Sequence, residues 1–138
     1  MKNRTLLLYI VSFILYTIVD ILLWQRIFET HKLWQFIPQY KQGWFMVLIL
    51  VMSTGAIALG DLKNALWFIC AMWLGAWSGL GDVLYYVLDG KNLPEYYHWL
   101  EGANLFFGYD KSSVLITALF WQVVIFGSFL WMKKWRPY

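Results

Sequence analysis

Cysteine is all but absent: Cys70 is the only one among 138 residues. An intramolecular disulfide and a cysteine-based metal site are therefore both excluded. The lone thiol lies within an apolar run and reads as inert. Charge is scarce as well, with Asp, Glu, Lys and Arg together making 14% of the chain. Nearly all of that charge falls in the gaps between apolar stretches. There is no P-loop, nucleophile elbow, zincin helix or dinucleotide glycine pattern, and no nucleic-acid module. No internal repeat, low-complexity tract or linker marks a second domain. The sequence by itself names no reaction.

What it has in abundance is oil. Hydrophobic residues make up 61% of the chain, against roughly 45–50% in soluble domains. The formal charge of +3 comes from basic residues flanking the apolar runs, where membrane proteins carry them. Nucleic acid is not among the expected partners. A membrane span needs about 20 mostly apolar residues, and four segments qualify: residues 5–24, 44–60, 65–88 and 114–131. The first follows Lys2 and Arg4, but its apolar core outruns a signal peptide and no small-residue cleavage pattern follows. It reads as a retained span. The predicted fold is all-α: a single integral membrane domain, a four-transmembrane-helix bundle with short amphipathic helices in two long loops on one face.

Those loops are residues 25–43 and 89–113, while Asp61-Leu62-Lys63-Asn64 makes a tight turn joining spans two and three as an antiparallel pair. Four spans place the chain ends and this turn on one side, the two long loops on the other. The basic tail Lys133-Lys134-Trp135-Arg136, with Lys2, Arg4 and Lys63, predicts that the N- and C-termini are cytoplasmic. Trp24, Trp44, Trp131 and Trp135 fall near span ends, as interfacial anchors do.

Two acids interrupt the apolar runs. Asp20 sits in the first and Asp82 in the third. A carboxylate at mid-helix costs about 2.5–3.5 kcal/mol on insertion scales, so such residues face protein or water and mark function by default. Both lie near span ends that open toward the long loops, where His31, His98, Glu29, Glu95 and Glu101 also fall. In span one, Tyr9, Ser12, Phe13, Tyr16, Thr17, Asp20 and Trp24 form one stripe. Leu7, Val11, Ile14, Leu15, Ile18 and Leu22 form an apolar stripe opposite. In span three, Ala71, Gly75, Ser78 and Gly79 share the Asp82 face with Tyr86, and small residues at that spacing let membrane helices approach closely. Trp73 and Trp77 point the other way, toward lipid or a partner subunit. Gln122 in span four adds a polar group to the same interior. Both aspartates are thus expected to look inward, either serving a ligand or bonding neighbouring hydroxyls to hold the helices in register.

Residues 92–102 read as a short helix, with Pro94 in its first turn and Gly102 at its end. Glu95, His98 and Glu101 share one side of it, Tyr96, Trp99 and Leu100 the other. It lies flat on the membrane surface, or it turns over the bundle mouth and brings His98 to Asp82. Glu95-x-x-His98 has the spacing of di-iron carboxylate bundles, but those use two such pairs and this chain has one. A single divalent metal on His98 with Asp82 or Asp20 is the simpler metal reading. The aromatic first loop and residues 105–108 would form an apolar lid.

The leading expectation is a site for a lipid-like or small amphiphilic ligand on the long-loop side. Asp20, Asp82 and His98 are its candidate catalytic residues, the acid–base or metal-holding groups of an intramembrane enzyme acting on that ligand, and Tyr16, Thr17, Ser78, Tyr86, Glu95, Trp99 and Gln122 are its lining. Acidic groups with aromatic walls also suit an organic cation. Two other classes stay open: a proton-coupled carrier, oligomeric because four spans enclose little space, and a non-catalytic subunit packed on a membrane partner.

Overall fold

A computed structural model describes residues 1–102 and 106–134. Leu105, Trp135 and Arg136, which figure in the predicted lid, anchors and basic tail, lie outside the described residues. Helix α1 (Asn3–Asp20) runs straight into a stretch of wider, π-type turns, Ile21–Glu29. After a tight reversal at Lys32, where φ is 51°, a short 3-10 turn at Trp34–Phe36 leads into α2 (Ile37–Leu59). Pro38 sits in the first turn of α2, where no N–H partner is lost, and Gly60 closes the helix in a left-handed conformation. Asp61 then caps α3 (Leu62–Trp77) by accepting the Asn64 N–H at 2.9 Å. Helix α4 (Leu80–Leu88) follows, and after a long connection α5 (Lys111–Lys134). Among the described residues the only extended pairing is an isolated bridge between Tyr96 and Asp110.

Three helical stretches are long and apolar enough to cross a membrane: Asn3–Glu29, Trp34–Leu59 and Lys111–Lys134. The count rises to four if α3 and α4, bent by 70° at their junction, form one broken span. The first long loop is mostly helix, continuous with the spans on either side, and Trp24, Phe28, Trp34 and Tyr40 pack their rings together and hold the ends of both helices in place. One correction to the sequence reading follows. The third span is not one helix: Ser78 and Gly79 break it. At about 1.5 Å per residue α3 rises roughly 24 Å, and α4 then runs off nearly sideways.

The core lies between α1, α2, α3 and α5. Tyr9, Phe13 and Tyr16 of α1 meet Leu48 and Met52 of α2, Phe68 and Met72 of α3, and Ile125 and Phe129 of α5. The small face of α3 does the work expected of it. A methyl group at Gly75 would lie 2.8 Å from the Phe13 ring and 2.9 Å from the Tyr9 hydroxyl. The predicted outer stripe of α1 is exposed throughout, as are Ile116, Leu119, Val123 and Leu130 along α5. Trp73 and Trp77 are half-exposed and turn their edges to Phe45 and Trp44 of α2.

One end of the bundle is tied by polar contacts around the α2–α3 turn. Asn64 Oδ1 accepts from the Thr5 hydroxyl at 2.7 Å and from the Lys2 N–H at 3.2 Å, while its amide donates to both oxygens of Asp61. Arg4 donates to the Leu59 carbonyl, and Lys133 to Asn3. The start of α1, the end of α5 and the short turn therefore share a face, as the sequence implies.

The opposite end departs from expectation. Residues 92–102 are not a helix; only His98–Leu100 makes a 3-10 turn. The reason is Tyr97, which is fully buried against Val83 and Val114. Its N–H donates to the Tyr109 carbonyl at 2.8 Å, and the Glu95 carbonyl accepts from Lys111. An extended strap that sends one ring inward and bonds across to residues 109–111 satisfies more backbone than a short helix would. Asp110 then starts α5, accepting from the N–H and hydroxyl of Ser113, which holds its carboxyl below the usual range.

Candidate functional site

Asp20 ends the regular part of α1, seventeen residues and about 26 Å of rise from Asn3. One turn earlier stands Tyr16. Across from them α2 presents Tyr40, Trp44 and Val47, spaced as one helical stripe. With Val19 and Leu23 these residues enclose a cleft of about 10 Å³, room for roughly one water-sized group. Tyr16 and Trp44 pack across it, their ring centroids 5.5 Å apart and the Tyr16 hydroxyl donating to the Trp44 carbonyl at 3.4 Å. Asp20 Oδ1 is buried without a hydrogen-bond partner, and so is Gln25 Oε1 one widened turn further on. Two buried acceptors on one helix thus lack donors.

Asp82 stands in the first turn of α4, half-buried, three residues past the break. The Trp99 indole N–H donates to its Oδ1 at 2.7 Å. Trp99 is held in turn by a stacked Tyr86 ring and the edge of Tyr97. Burial, with Asp82 and Tyr86 nearby, pushes the Tyr97 phenol up to about 12, so it stays protonated. Its hydroxyl is buried with no partner. Asp20 ends α1 and Asp82 opens α4, two helices that pack against each other. Beyond them Asp89 takes up Arg26 at 3.6 Å and Lys91 at 3.4 Å. The carboxyl cluster is left without a cation of its own among the described residues.

Trp99→Phe keeps the ring contacts and removes only the donor. We expect the strap to loosen by about 1.5 kcal/mol, the low end for a hydrogen bond to a charged group, because the contact is partly solvated. Hydrogen exchange at the Tyr97 amide checks this. Unchanged protection would mean that ring packing alone holds the strap.

The structure brings together only part of the predicted set. Tyr16 lines the Asp20 cleft, and Tyr86 and Trp99 attend Asp82. His98 does not join them: its side chain is 79% exposed and lies 3.4 Å from Glu101. Glu95 is at the surface beside Lys111. Thr17 donates to its own helix at Phe13, and Ser78 spends its hydroxyl on Gly75 and the Leu80 N–H at the break. Gln122 accepts from Tyr9, eleven residues up α1 from Asp20, and its amide nitrogen is buried without a partner. Tyr40, Val47, Trp44, Val19 and Leu23 of the cleft, and Tyr97 beside Trp99, are the residues that sequence reasoning did not place in the site. The stripe Tyr40–Trp44–Val47 opposite Tyr16–Asp20–Leu23 is the signal that would have found the first two.

Among the described residues no three His, Cys, Asp or Glu side chains converge where a metal ion would sit. The set His98, Asp82 and Asp20, proposed for a divalent metal, is not assembled. A larger hollow of about 450 Å³, lined by Lys2, Lys63, Lys133, Asp61 and Asn64, opens at the other end of the bundle.

The chain matches no protein-family model, no curated protein and no solved structure. The site's own atoms set its chemistry: two carboxyls on neighbouring helices, phenol and indole donors, aromatic walls and no imidazole. Such a set holds or moves protons and attracts cations.

Proposed function

We propose that this is a multi-pass integral membrane protein that binds a lipid-like or small amphiphilic molecule at one membrane face. In this reading α3 and α4 together make the third of four spans, and the bundle stands with its basic end in the cytoplasm. The exposed apolar flanks of α1 and α5 support a lipid surrounding, since a soluble monomer rarely shows contiguous apolar patches beyond a few hundred Å². Depth supports the placing of the site. With a hydrocarbon core of about 30 Å, α1 carries Asp20 to the far boundary, and α3 ends at nearly the same level just before Asp82. There the charge costs less than at mid-bilayer, and the Trp24, Trp34, Trp44, Trp77 and Trp99 rings form an interfacial belt.

The observation that carries the reading is the orphaned Asp20 Oδ1, buried beside an aromatic cleft between α1 and α2. A buried acceptor without a donor costs roughly 1–3 kcal/mol, and an amphiphile whose polar head donates to it removes that cost. The test is extraction of bound amphiphiles from protein purified in mild detergent, with identification by mass spectrometry. Wild-type protein should carry a near-stoichiometric compound that Asp20→Asn and Asp82→Asn lose or exchange. An empty wild type, or identical content in all three, overturns the reading.

A further inference from the structure

Away from the two acids, the hollow at the other end of the bundle gathers positive charge. Three lysines from separate parts of the chain line it: Lys2 just ahead of α1, Lys63 in the first turn of α3 and Lys133 in the last turn of α5. Packing of whole helices brings them together. Lys133 donates to Asn3 Oδ1 at 2.7 Å, and Lys63 to the Met132 carbonyl at 3.3 Å. From these groups we infer that the hollow holds the phosphate of an anionic membrane lipid. The inference rests on the membrane reading above and is independent of Asp20.

Charge is the first argument. Three ammonium groups face one carboxylate, Asp61, which leaves a formal +2 on these side chains. That carboxylate is already engaged. Its Oδ1 accepts from the Asn64 N–H and side-chain amide, and its Oδ2 meets the same amide and, at 3.5 Å, Lys2. An ammonium group carries three donors, so the contacts with Asp61 and Asn3 position Lys2 and Lys133 without exhausting them. Lysine binds phosphate as a compact point charge, and three such charges converge here.

Size and surroundings are the second. At about 450 Å³ the hollow falls in the range of small-molecule sites, roughly 300–1,000 Å³. All three lysines are exposed, so a head group reaches them without rearrangement. Apolar surface begins beside it. Leu62, between the lining residues Asp61 and Lys63, is 75% exposed, and Leu66 one turn further along α3 is 52% exposed. An acyl chain lies along that strip while the phosphate stays with the lysines. In the proposed orientation this end is cytoplasmic, where the leaflet is anionic and basic pockets between spans take phosphorylated head groups.

Thermal unfolding of the whole protein in maltoside micelles tests the inference with three probes. These are dioleoylphosphatidylglycerol, dioleoylphosphatidylcholine and inorganic phosphate, at equal concentration. The anionic glycerol lipid should raise the midpoint by about 5 °C at saturation, and the zwitterionic choline lipid and inorganic phosphate by less than about 1 °C. Lys63→Gln and Lys133→Gln remove charge with little change in length. Each should diminish the shift, and the two together should abolish it. Lys63→Arg, still charged, should keep it, and so should Lys41→Gln at the opposite end of the bundle.

An equal shift from inorganic phosphate, lost in the double variant, would assign the hollow to a soluble anion and overturn the lipid half of the inference. Equal shifts from both lipids, or loss of the shift in Lys41→Gln, would overturn the phosphate site, because acyl chains or net charge alone would then explain the response. No shift with the glycerol lipid overturns it outright. Should the double variant fail to fold, the single variants decide: a full shift in both sinks the site.

Discussion

Gly79→Ala should destabilise the protein by about 2–4 kcal/mol, the largest loss expected from adding one methyl group anywhere along the α3–α4 junction. Two costs combine. Gly79 sits at φ +81°, ψ −1°, and an L-residue pays about 1–2 kcal/mol there. The new Cβ would also lie 2.6 Å from the Phe106 ring and 3.2 Å from Val114, which is overpacking worth about 1–3 kcal/mol. Neither neighbour gives way easily, since Val114 is fully buried and Phe106 packs in the same cluster as Tyr97. Gly90→Ala is the internal control. Its φ is +68° with nothing within 4 Å of the added atom, so only the backbone cost applies. Unfolding in mixed micelles measures both variants. If the Gly79 variant loses no more than the Gly90 variant, packing at the break is looser than described. The consequence for the site is direct: Asp82 lies three residues beyond Gly79, so a straightened junction would pull it off Trp99.

Asn64→Leu should cost roughly 2–4 kcal/mol at the opposite end. Leucine keeps the forked shape and is somewhat larger, so no cavity opens, and the loss comes chiefly from polar groups left behind. Thr5 is fully buried and donates to Asn64 Oδ1 at 2.7 Å; the Lys2 N–H does so at 3.2 Å. Each donor stranded away from water costs about 1–3 kcal/mol, and Asp61 loses two contacts in addition. Thr5→Val in the Asn64→Leu background supplies the check. Replacing both partners with apolar groups should recover part of the loss, because an unmade pair is cheaper than a stranded donor. A double variant as unstable as Asn64→Leu alone would show that the hydroxyl was never the issue. Neither change touches the Asp20 cleft, so ligand content should follow stability in Asn64→Leu but not in Asp20→Asn.

How far the site was legible depends on the kind of signal each residue carries. The two-sided character of α1 was open to view because helical periodicity is local: seven stripe positions and six outer ones sort by sequence alone. The turn at Asp61–Asn64 and the grouping of the chain ends opposite the long loops were open for the same reason, as four apolar runs allow few arrangements. His98 misled. Its spacing to Glu95 and the Pro94 and Gly102 flanks suggest a helix, yet the strap is extended because one ring, Tyr97, gains more by burial than local hydrogen bonding can offer. Ser78 misled differently. It lies on the predicted inner face and is fully buried, but its hydroxyl is consumed at a break that periodicity does not register.

Composition and periodicity by themselves determined that the chain is helical, which face of α1 packs, where the polar turn lies and that Asp20 and Asp82 approach one end of the bundle. Those properties depend on residues a few positions apart, so they are written in short stretches. Tertiary structure alone decided which partner each acid meets: Trp99 for Asp82, and a cleft walled by Tyr40 and Trp44 for Asp20. Such pairings join residues 17 to 24 positions apart, and they arise from the packing of whole helices, where the fit of rings such as Tyr97 outweighs any local preference.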